Sequence, residues 1–562
     1  MNKVPAGQDG KSAPDDTLLR IRDLRIEAKS SETWQPIVSG VDLTLRRGEV
    51  LGLIGESGAG KSTLGLAALG YFRQGCRVTS GVVEFDGRDL LTMNERDRRA
   101  LRGSRIAYVA QSASASFNPA HRLIDQTIET STARNASSID ATKAASIELF
   151  RRMQLPDPET IGLRYPHQVS GGQLQRIMTA MAMSTRPDLI VFDEPTTALD
   201  VTTQVEVLAA IRKVVREFNT AAIYISHDLA VVAQMADRVM VLRHGKLVEE
   251  AATRKMLAAP EADYTKTLWA VRNIEKPVRR AGEIALSIRG LSARYAGISH
   301  NVLDGISIDV PKGHTVALVG ESGSGKSTLG RVVSGLLPPH SGEILLGGKA
   351  LPTRFDGRSK ELLRRIQFVY QSADTALNPR QTVREILGRP IEFFLGLRGT
   401  ERDRKLGELM HLIELDASFV NRLPRELSGG QKQRVNLARA LAADPDLIIC
   451  DEVTSALDQV IQEGILKLLM RIQEEKGITY LFITHDIATV RAIADQVVVM
   501  HRGKVVEQGD RDDVLSGPSP AYTELLLSSV PDMNPDWLTN LLNARSGKID
   551  NALPSNALRT IP

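Results

Sequence analysis

Cysteine is nearly absent from this chain: Cys76 and Cys450 are the only two among 562 residues. Two thiols exclude a disulfide framework, a four-cysteine zinc site and a cysteine-ligated iron–sulfur cluster. They fit a reducing cytosol, and Cys450, in an apolar run, reads as a small core residue. Excess charge is lacking as well. Lys and Arg number 71 against 67 Asp and Glu, a net charge of +4, which argues against nucleic acid as the main partner. The locally basic stretch Arg96 to Arg105 lacks interleaved aromatics and reads as a solvated helix face. No run approaches the roughly 18 apolar residues that a membrane-spanning helix needs. Residues 1–16 are polar, lack the apolar stretch of a signal peptide, and are expected to be a disordered lead. The chain is not expected to cross a membrane by itself, but it can sit against one.

What is present is a chain too long for one hydrophobic core, with ordinary hydrophobic (42%) and charged (25%) content. It repeats itself at a long period. Lys61 pairs with Lys326 at an offset of 265, Gln111 with Gln371 at 260, and Ser170, Glu194 and His227 with Ser428, Glu452 and His485 at 258. A period near 260 is a duplicated domain rather than a solenoid repeat. The expected plan is a first domain over 17–272, a linker over 273–283 around Glu275-Lys276-Pro277-Val278-Arg279-Arg280, a second domain over 284–530, and a polar tail over 531–562. Each half reads as α/β. Val50–Ile54, Leu189–Phe192 and Ala222–Ile225 are short apolar runs typical of buried parallel strands, matched by Leu447–Cys450 and Tyr480–Ile483. Strands alternating with helices imply a mostly parallel sheet covered on both faces. The region from Gln111 to Ser170, with Ala141 to Met153, reads as a helical insertion.

The strongest motif occurs twice: Gly55-Glu56-Ser57-Gly58-Ala59-Gly60-Lys61-Ser62-Thr63 and Gly320-Glu321-Ser322-Gly323-Ser324-Gly325-Lys326-Ser327-Thr328. Both fit the phosphate-binding loop G-x-x-x-x-G-K-[ST]. Glycines let backbone N–H groups close around a triphosphate, and the next helix presents its positive end. Lys61 and Lys326 can reach the β- and γ-phosphates, and Ser62 and Ser327 can offer a hydroxyl to Mg²⁺. One such loop could be a glycine turn before a helix. Two in register imply two complete nucleoside-triphosphate sites, or the halves of them.

Downstream, each half has an apolar strand ending in two acids, Asp193-Glu194 and Asp451-Glu452. Carboxylates at the C-terminal ends of parallel strands point into the ligand crevice. The first acid can hold Mg²⁺ through water, and the second is placed to polarise the attacking water. His227 and His485 each follow a strand, 33 residues after their acid pair. A lone histidine is more often structural, but the doubled spacing favours a γ-phosphate contact. Gln111 and Gln371 follow short strands and alone carry no weight. The decisive segments are Val169-Ser170-Gly171-Gly172-Gln173 and Leu427-Ser428-Gly429-Gly430-Gln431. Serine and two glycines before a helix make a second anion cradle. The economical arrangement has the halves facing each other, with each ATP between one half's loop and the other's Ser-Gly-Gly.

This order of motifs resembles the ATP-binding-cassette family over nearly all of residues 17–531. The resemblance implies phosphate loop, Q-loop glutamine, signature, Walker B acids, D-loop (Ala198-Leu199-Asp200 and Ala456-Leu457-Asp458) and switch histidine in both halves, in a head-to-tail ATP sandwich. It places Asp200 and Asp458 at the nucleotide, gives Gln111 and Gln371 a share of the Mg²⁺ site, and makes Tyr295 the adenine-stacking residue of the second half. In the first half that position is Ala28, with Trp34 as a substitute. Val453 stands where Pro195 stands in the first half, and Val169 replaces leucine at the head of the first signature. None of these removes a catalytic group, so both sites are expected to be competent.

The finer resemblance is to the ATPase subunits of dipeptide, oligopeptide and nickel importers, carried by Gln111 to Pro119, Gln371 to Arg380, Tyr165-Pro166-His167, Ala262-Asp263-Tyr264-Thr265 and Pro520-Ala521-Tyr522-Thr523. The cysteine cluster common in peptide-importer relatives is missing. The resemblance implies an ATP- and Mg²⁺-dependent ATPase on the cytoplasmic face of the inner membrane. Its expected partners are two transmembrane permease subunits, docked on the segments after Gln111 and Gln371, and an extracytoplasmic solute-binding protein. The main alternative is a soluble tandem cassette acting on ribosomes. That class joins its halves by a long charged helix, whereas the connection here is short. DNA-repair cassettes are disfavoured by the lack of zinc-ligand cysteines and coiled-coil heptads. Sugar-importer ATPases, which often have one degenerate site, are the nearer rival.

Overall fold

The structure is a computed structural model that describes residues 16–30, 33–132, 138–197, 199–270, 276–277, 282–455 and 457–552. All but one residue of the expected lead, most of the expected linker, the last ten residues, and Ala198 and Ala456 of the D-loops lie outside the described residues. Two compact units divide the chain. The first takes the residues up to Thr196, with Val207–Thr265 and Met533–Pro535; the second takes Thr197–Glu206, Lys266–Asp532 and the residues from Asp536 on.

In the first unit the strands are β1 (Thr17–Ser30), β2 (Thr33–Arg46), β3 (Val50–Ile54), β4 (Cys76–Phe85), β5 (Arg88–Asp89), β6 (Ile106–Val109), β7 (Leu189–Asp193), β8 (Ala221–Ile225), β9 (Arg238–Arg243) and β10 (Lys246–Ala252). The six-stranded sheet runs β10-β9-β3-β8-β7-β6. Only β10 is antiparallel to its neighbour. All five residues of β3, β7 and β8 are buried, which is why these strands read as unbroken apolar runs. Between β6 and β7 lie the helices Leu123–Thr132 and Ile139–Arg152 of the expected helical insertion.

The second unit repeats the plan with β11 (Ile284–Ala293), β12 (Leu303–Pro311), β13 (Thr315–Val319), β14 (Ser341–Leu346), β15 (Lys349–Ala350), β16 (Ile366–Val369), β17 (Leu447–Asp451), β18 (Thr479–Ile483), β19 (Gln496–His501) and β20 (Lys504–Asp510). Its large sheet is ordered β16-β17-β18-β13-β19-β20.

Each unit also carries a four-stranded antiparallel sheet, β2-β1-β4-β5 and β12-β11-β14-β15, which the sequence reading did not foresee. The reason is visible in β1. Leu19, Ile21, Leu24 and Ile26 are buried, but the alternation loses phase between Ile21 and Leu24, where the register with β2 shifts. Asp23 sits there with φ 39°. A bulge of this kind adds a residue and hides the period-2 signal.

Two further departures concern the expected boundaries. Lys276, assigned to the linker, is only 3% exposed. Its ammonium pairs with Asp495 at 2.6 Å and reaches the side chain of Gln473. Beyond Pro531, where a polar tail is expected, the chain forms the helix Trp537–Ala552. Trp537, Leu538, Leu541 and Leu542 recur at helical spacing there, and Leu538 is fully buried. Among the described residues no helix is long and apolar enough to cross a membrane.

Candidate functional site

The sheet order brings the scattered motifs together. Strand β3 pairs with β8, and β8 with β7, so that Leu53 and Asp193 both stand level with Ile225. Gly55, Asp193, Glu194 and His227 therefore emerge from three adjacent C-terminal strand ends, where α/β sheets bind ligands. In the second unit Leu318 and Asp451 both stand level with Ile483, which does the same for Gly320, Asp451, Glu452 and His485.

Each phosphate loop leads into an eight-residue helix, Lys61–Ala68 or Lys326–Val333, whose N-terminus has no side-chain cap and no acidic residue in its first turn. Elsewhere Asn94, Ser112, Ser138 and Ser170 cap their helices. Helix starts without a side-chain cap suit an anion. Gly55 has φ 148°, and a Cβ there would meet the carbonyl of Leu242 at 2.1 Å; at Gly320 it would meet that of Met500 at the same distance. Lys61 and Lys326 are 6% and 5% exposed. Lys61 Nζ donates to the carbonyls of Gly55 (2.6 Å) and Glu56 (2.9 Å). Lys326 Nζ donates to those of Gly320 and Glu321, both at 2.7 Å. Burial pushes the Lys326 pKa down. The ammonium is thus folded over the loop it would leave for a phosphate.

Ser62 Oγ donates to Asp193 Oδ1 at 2.8 Å, and Ser327 Oγ to Asp451 Oδ1 at 2.8 Å. A hydroxyl beside a carboxylate next to a phosphate cradle is a hard-oxygen set that fits Mg²⁺. Glu194 and Glu452 both have φ 49°, an uncommon conformation for a non-glycine residue. Their amides are held by the carbonyls of Ile225 and Ile483, each at 2.9 Å. Gln111 Nε2 donates to Glu194 Oε2 at 2.9 Å, and Gln371 Nε2 to Glu452 Oε2 at 2.7 Å. The Nδ1 atoms of His227 and His485 lie 3.3 Å from the same glutamates. Burial opposes the charged form of each histidine, but the adjacent glutamate outweighs it and raises both pKa values. Burial likewise works against ionisation of Glu452, yet His485 and Lys326 hold its carboxyl below the usual range.

The signature segments are helix starts. Ser170 Oγ accepts from Gln173 N at 3.3 Å, and Gln173 Oε1 accepts from Ser170 N at 3.0 Å; Ser428 and Gln431 repeat this at 3.3 and 2.9 Å. This is a reciprocal capping box. It occupies the glutamine oxygens expected at the nucleotide and leaves the amides of Gly171, Gly172, Gly429 and Gly430 at the helix start. Asp200 accepts from Thr203 N at 3.0 Å, and Asp458 caps the helix Gln459–Lys476 through Ile461 N at 3.0 Å. Tyr295 Oη sits 3.2 Å from Thr328 Oγ1 of the second loop. Trp34 lies under the Arg77 guanidinium, 4.1 Å from the ring centre, while Ala28 is paired with Gln35 in the antiparallel sheet.

A family model described as "ABC transporter" matches residues 38–197 and 303–455. The chain belongs to the ABC transporter ATPase family. A second model, "Oligopeptide/dipeptide transporter, C-terminal region", matches residues 506–553, which covers the unexpected C-terminal helix. The Glutathione import ATP-binding protein GsiA of Escherichia coli O157:H7 is 35% identical over 92% of this chain and 90% of its own. That of Salmonella typhimurium is 36% identical over 89% and 87%. Among solved structures, cbiO1 from Clostridium perfringens, part of the ABC transporter complex cbiONQ, covers 48% of this chain and 100% of its own, with 28% identity and TM-score 0.39. The ATPase is therefore an ATP-binding subunit of an ABC importer, which implies membrane permease partners, and a ribosome-acting role is not supported.

Three tyrosines at the sites carry no role in the sequence reading. Tyr264 Oη accepts from Glu56 N at 3.3 Å and Tyr522 Oη from Glu321 N at 3.0 Å, so each braces the first corner of a phosphate loop. Their rings pack against Arg243 and His501. Both lie in the segments that carry the importer resemblance, which marks them but does not reveal what they touch. Tyr108 Oη donates to Asp193 Oδ2 at 2.7 Å. The signal for it is a difference between repeats: Phe368 stands in its place in the second half.

Proposed function

We propose that the ATPase hydrolyses Mg-ATP at both phosphate loops to drive uptake of a small peptide, with glutathione and other di- or oligopeptides as the cargo class. The observation that carries the two-site reading is the recurrence of one constellation at matched distances: loop lysine on loop carbonyls, Ser–Asp at 2.8 Å, and glutamate between glutamine and histidine. The cargo class rests on the GsiA relatives and on the C-terminal region match.

In this reading Lys61 and Lys326 leave the loop carbonyls for the β- and γ-phosphates, and the loop amides hold the remaining oxygens. Ser62 with Asp193, and Ser327 with Asp451, would hold Mg²⁺, with Gln111 and Gln371 at its edge; bound Mg²⁺ supplies neutralisation of phosphate charge. Glu194 and Glu452 orient the attacking water. His227 and His485, whose pKa values the adjacent glutamates raise, hold the glutamates and face the γ-phosphate. The amides of the Ser170–Gln173 and Ser428–Gln431 segments form the second surface that closes on the nucleotide. Tyr295 stacks on adenine in the second half. Catalysis of this kind is mostly positioning and electrostatics. The ATPase acts peripherally at the cytoplasmic face of the inner membrane, beneath two permeases served by an extracytoplasmic solute-binding protein.

The test is the Glu194→Gln, Glu452→Gln double variant. It should keep ATP binding and lose turnover by at least about 10²-fold, the scale of removing a positioned base. Normal hydrolysis would refute the glutamate roles. Held in Mg-ATP and used as bait in native membranes, the variant should retain two multi-spanning permeases, whose binding protein then takes glutathione or short peptides. Ribosomal proteins without permeases would overturn the importer assignment.

A further inference from the structure

The two halves treat their first acids differently. In the first, both oxygens of Asp193 are held: Oδ1 by Ser62 Oγ at 2.8 Å and Oδ2 by Tyr108 Oη at 2.7 Å. In the second, Asp451 Oδ1 is held by Ser327 Oγ at 2.8 Å, and among the described residues no hydroxyl donates to Oδ2. The strand register explains why. Tyr108 on β6 stands opposite Val191, two residues before Asp193, and Phe368 on β16 stands opposite Ile449, two residues before Asp451. The positions are equivalent, and only one carries an oxygen. The Phe368 ring instead packs on Tyr370, with ring centres 4.7 Å apart; the first half has Ala110 where Tyr370 stands.

A carboxylate held at one oxygen still turns about its terminal torsion, whose well is broad. Held at both oxygens, it is oriented before a ligand arrives. Partners that orient a metal-holding group are typically worth about 10–100-fold in metal affinity. We propose that Tyr108 is a positioning residue that pre-orients Asp193 for the divalent cation, so that the two ATP sites of this one chain are unequal. The first binds metal more tightly, by about tenfold or more. This rests on the Mg²⁺ reading of the Ser–Asp pairs given above. It makes the first half the site that loads at low free metal, and it makes the inequality a property of one phenol oxygen rather than of any lost motif.

The experiment is a Mn²⁺ titration of the full chain with two equivalents of a non-hydrolysable ATP analogue, free Mn²⁺ being read by electron paramagnetic resonance. The wild type should show one tight and one weaker site. Tyr108→Phe should merge them into the weaker class and leave metal-free binding of the analogue unchanged, a split that a general loss of packing would not produce. Phe368→Tyr should move the weaker site to the tight class, a gain that cannot come from misfolding. Two equal sites in the wild type, with both variants silent, would overturn the role of Tyr108 while leaving the metal reading intact. Failure of any Mn²⁺ to bind with nucleotide would overturn both.

Discussion

Tyr522→Phe isolates a single interaction at the second phosphate loop. The phenol oxygen accepts from Glu321 N at 3.0 Å, and the ring stacks on His501 with centres 4.0 Å apart. Burial pushes the phenol pKa up to about 12, so the group is a neutral hydroxyl at any working pH. Phenylalanine keeps the ring and its stacking and removes only the acceptor. A net hydrogen bond contributes about 0.5–1.5 kcal/mol, more if the amide is left with no other partner. Glu321 is half-buried, so water replaces part of the loss and the lower half of that range applies. A loss of about 0.5–1 kcal/mol lowers the melting temperature of a domain this size by roughly 1–4 °C. If the loop corner must be held for the phosphates, the same loss appears in nucleotide affinity as about a two- to fivefold weakening, since 1.4 kcal/mol is tenfold. The assay is titration with a fluorescent ATP analogue in a Lys61→Ala background, so that the second loop is read alone. Tyr522→Ala, which also removes the stacked ring, should be worse on both readouts. Wild-type affinity together with an unchanged melting temperature in Tyr522→Phe would refute the brace.

His485→Asn tests the charged pair with Glu452. Because the folded pKa of His485 is raised above 6.5, its stabilisation is fully present below that value and is lost as pH rises through the folded pKa. Wild type should therefore melt above the variant at pH 6, and the advantage should shrink as pH rises through the folded pKa; a constant difference would show that the histidine acts only by packing. Lys276→Met leaves Asp495, 2% exposed in its side chain, without its counter-ion. It should cost about 3–5 kcal/mol in urea unfolding, as broken buried pairs do. Neutralising both partners with Asp495→Asn should recover much of that, whereas a Lys276→Met chain as stable as wild type would make the buried pair energetically silent.

The amino-acid order by itself determined what is chemically local. A phosphate loop is a run of glycines, a lysine and a hydroxyl within nine residues, and its chemistry follows from backbone freedom and charge without knowledge of the fold. The buried strands Val50–Ile54, Leu189–Asp193 and Leu447–Asp451 were legible because both their faces are covered, which leaves unbroken apolar runs. The duplication was legible because the motifs recur in one order.

Tertiary structure decided everything that depends on side chains distant in sequence. Gln111 and Gln371 carried no signal beyond family order, yet they lie on Glu194 and Glu452, 83 and 81 residues away. The antiparallel sheets were hidden because the bulge at Asp23 breaks the alternation that would announce them. Lys276 looked like linker charge until the fold supplied Asp495, 219 residues on. Tyr108 carries no signal in the sequence beyond its difference from Phe368, and only the parallel pairing of β6 with β7 sets its hydroxyl on Asp193. Composition and spacing report what a segment contains and how it is periodic. Only the sheet order says which segments end side by side, and in this chain that adjacency sets Tyr108 on Asp193 in the first half and leaves Phe368 without a hydroxyl at the equivalent place in the second.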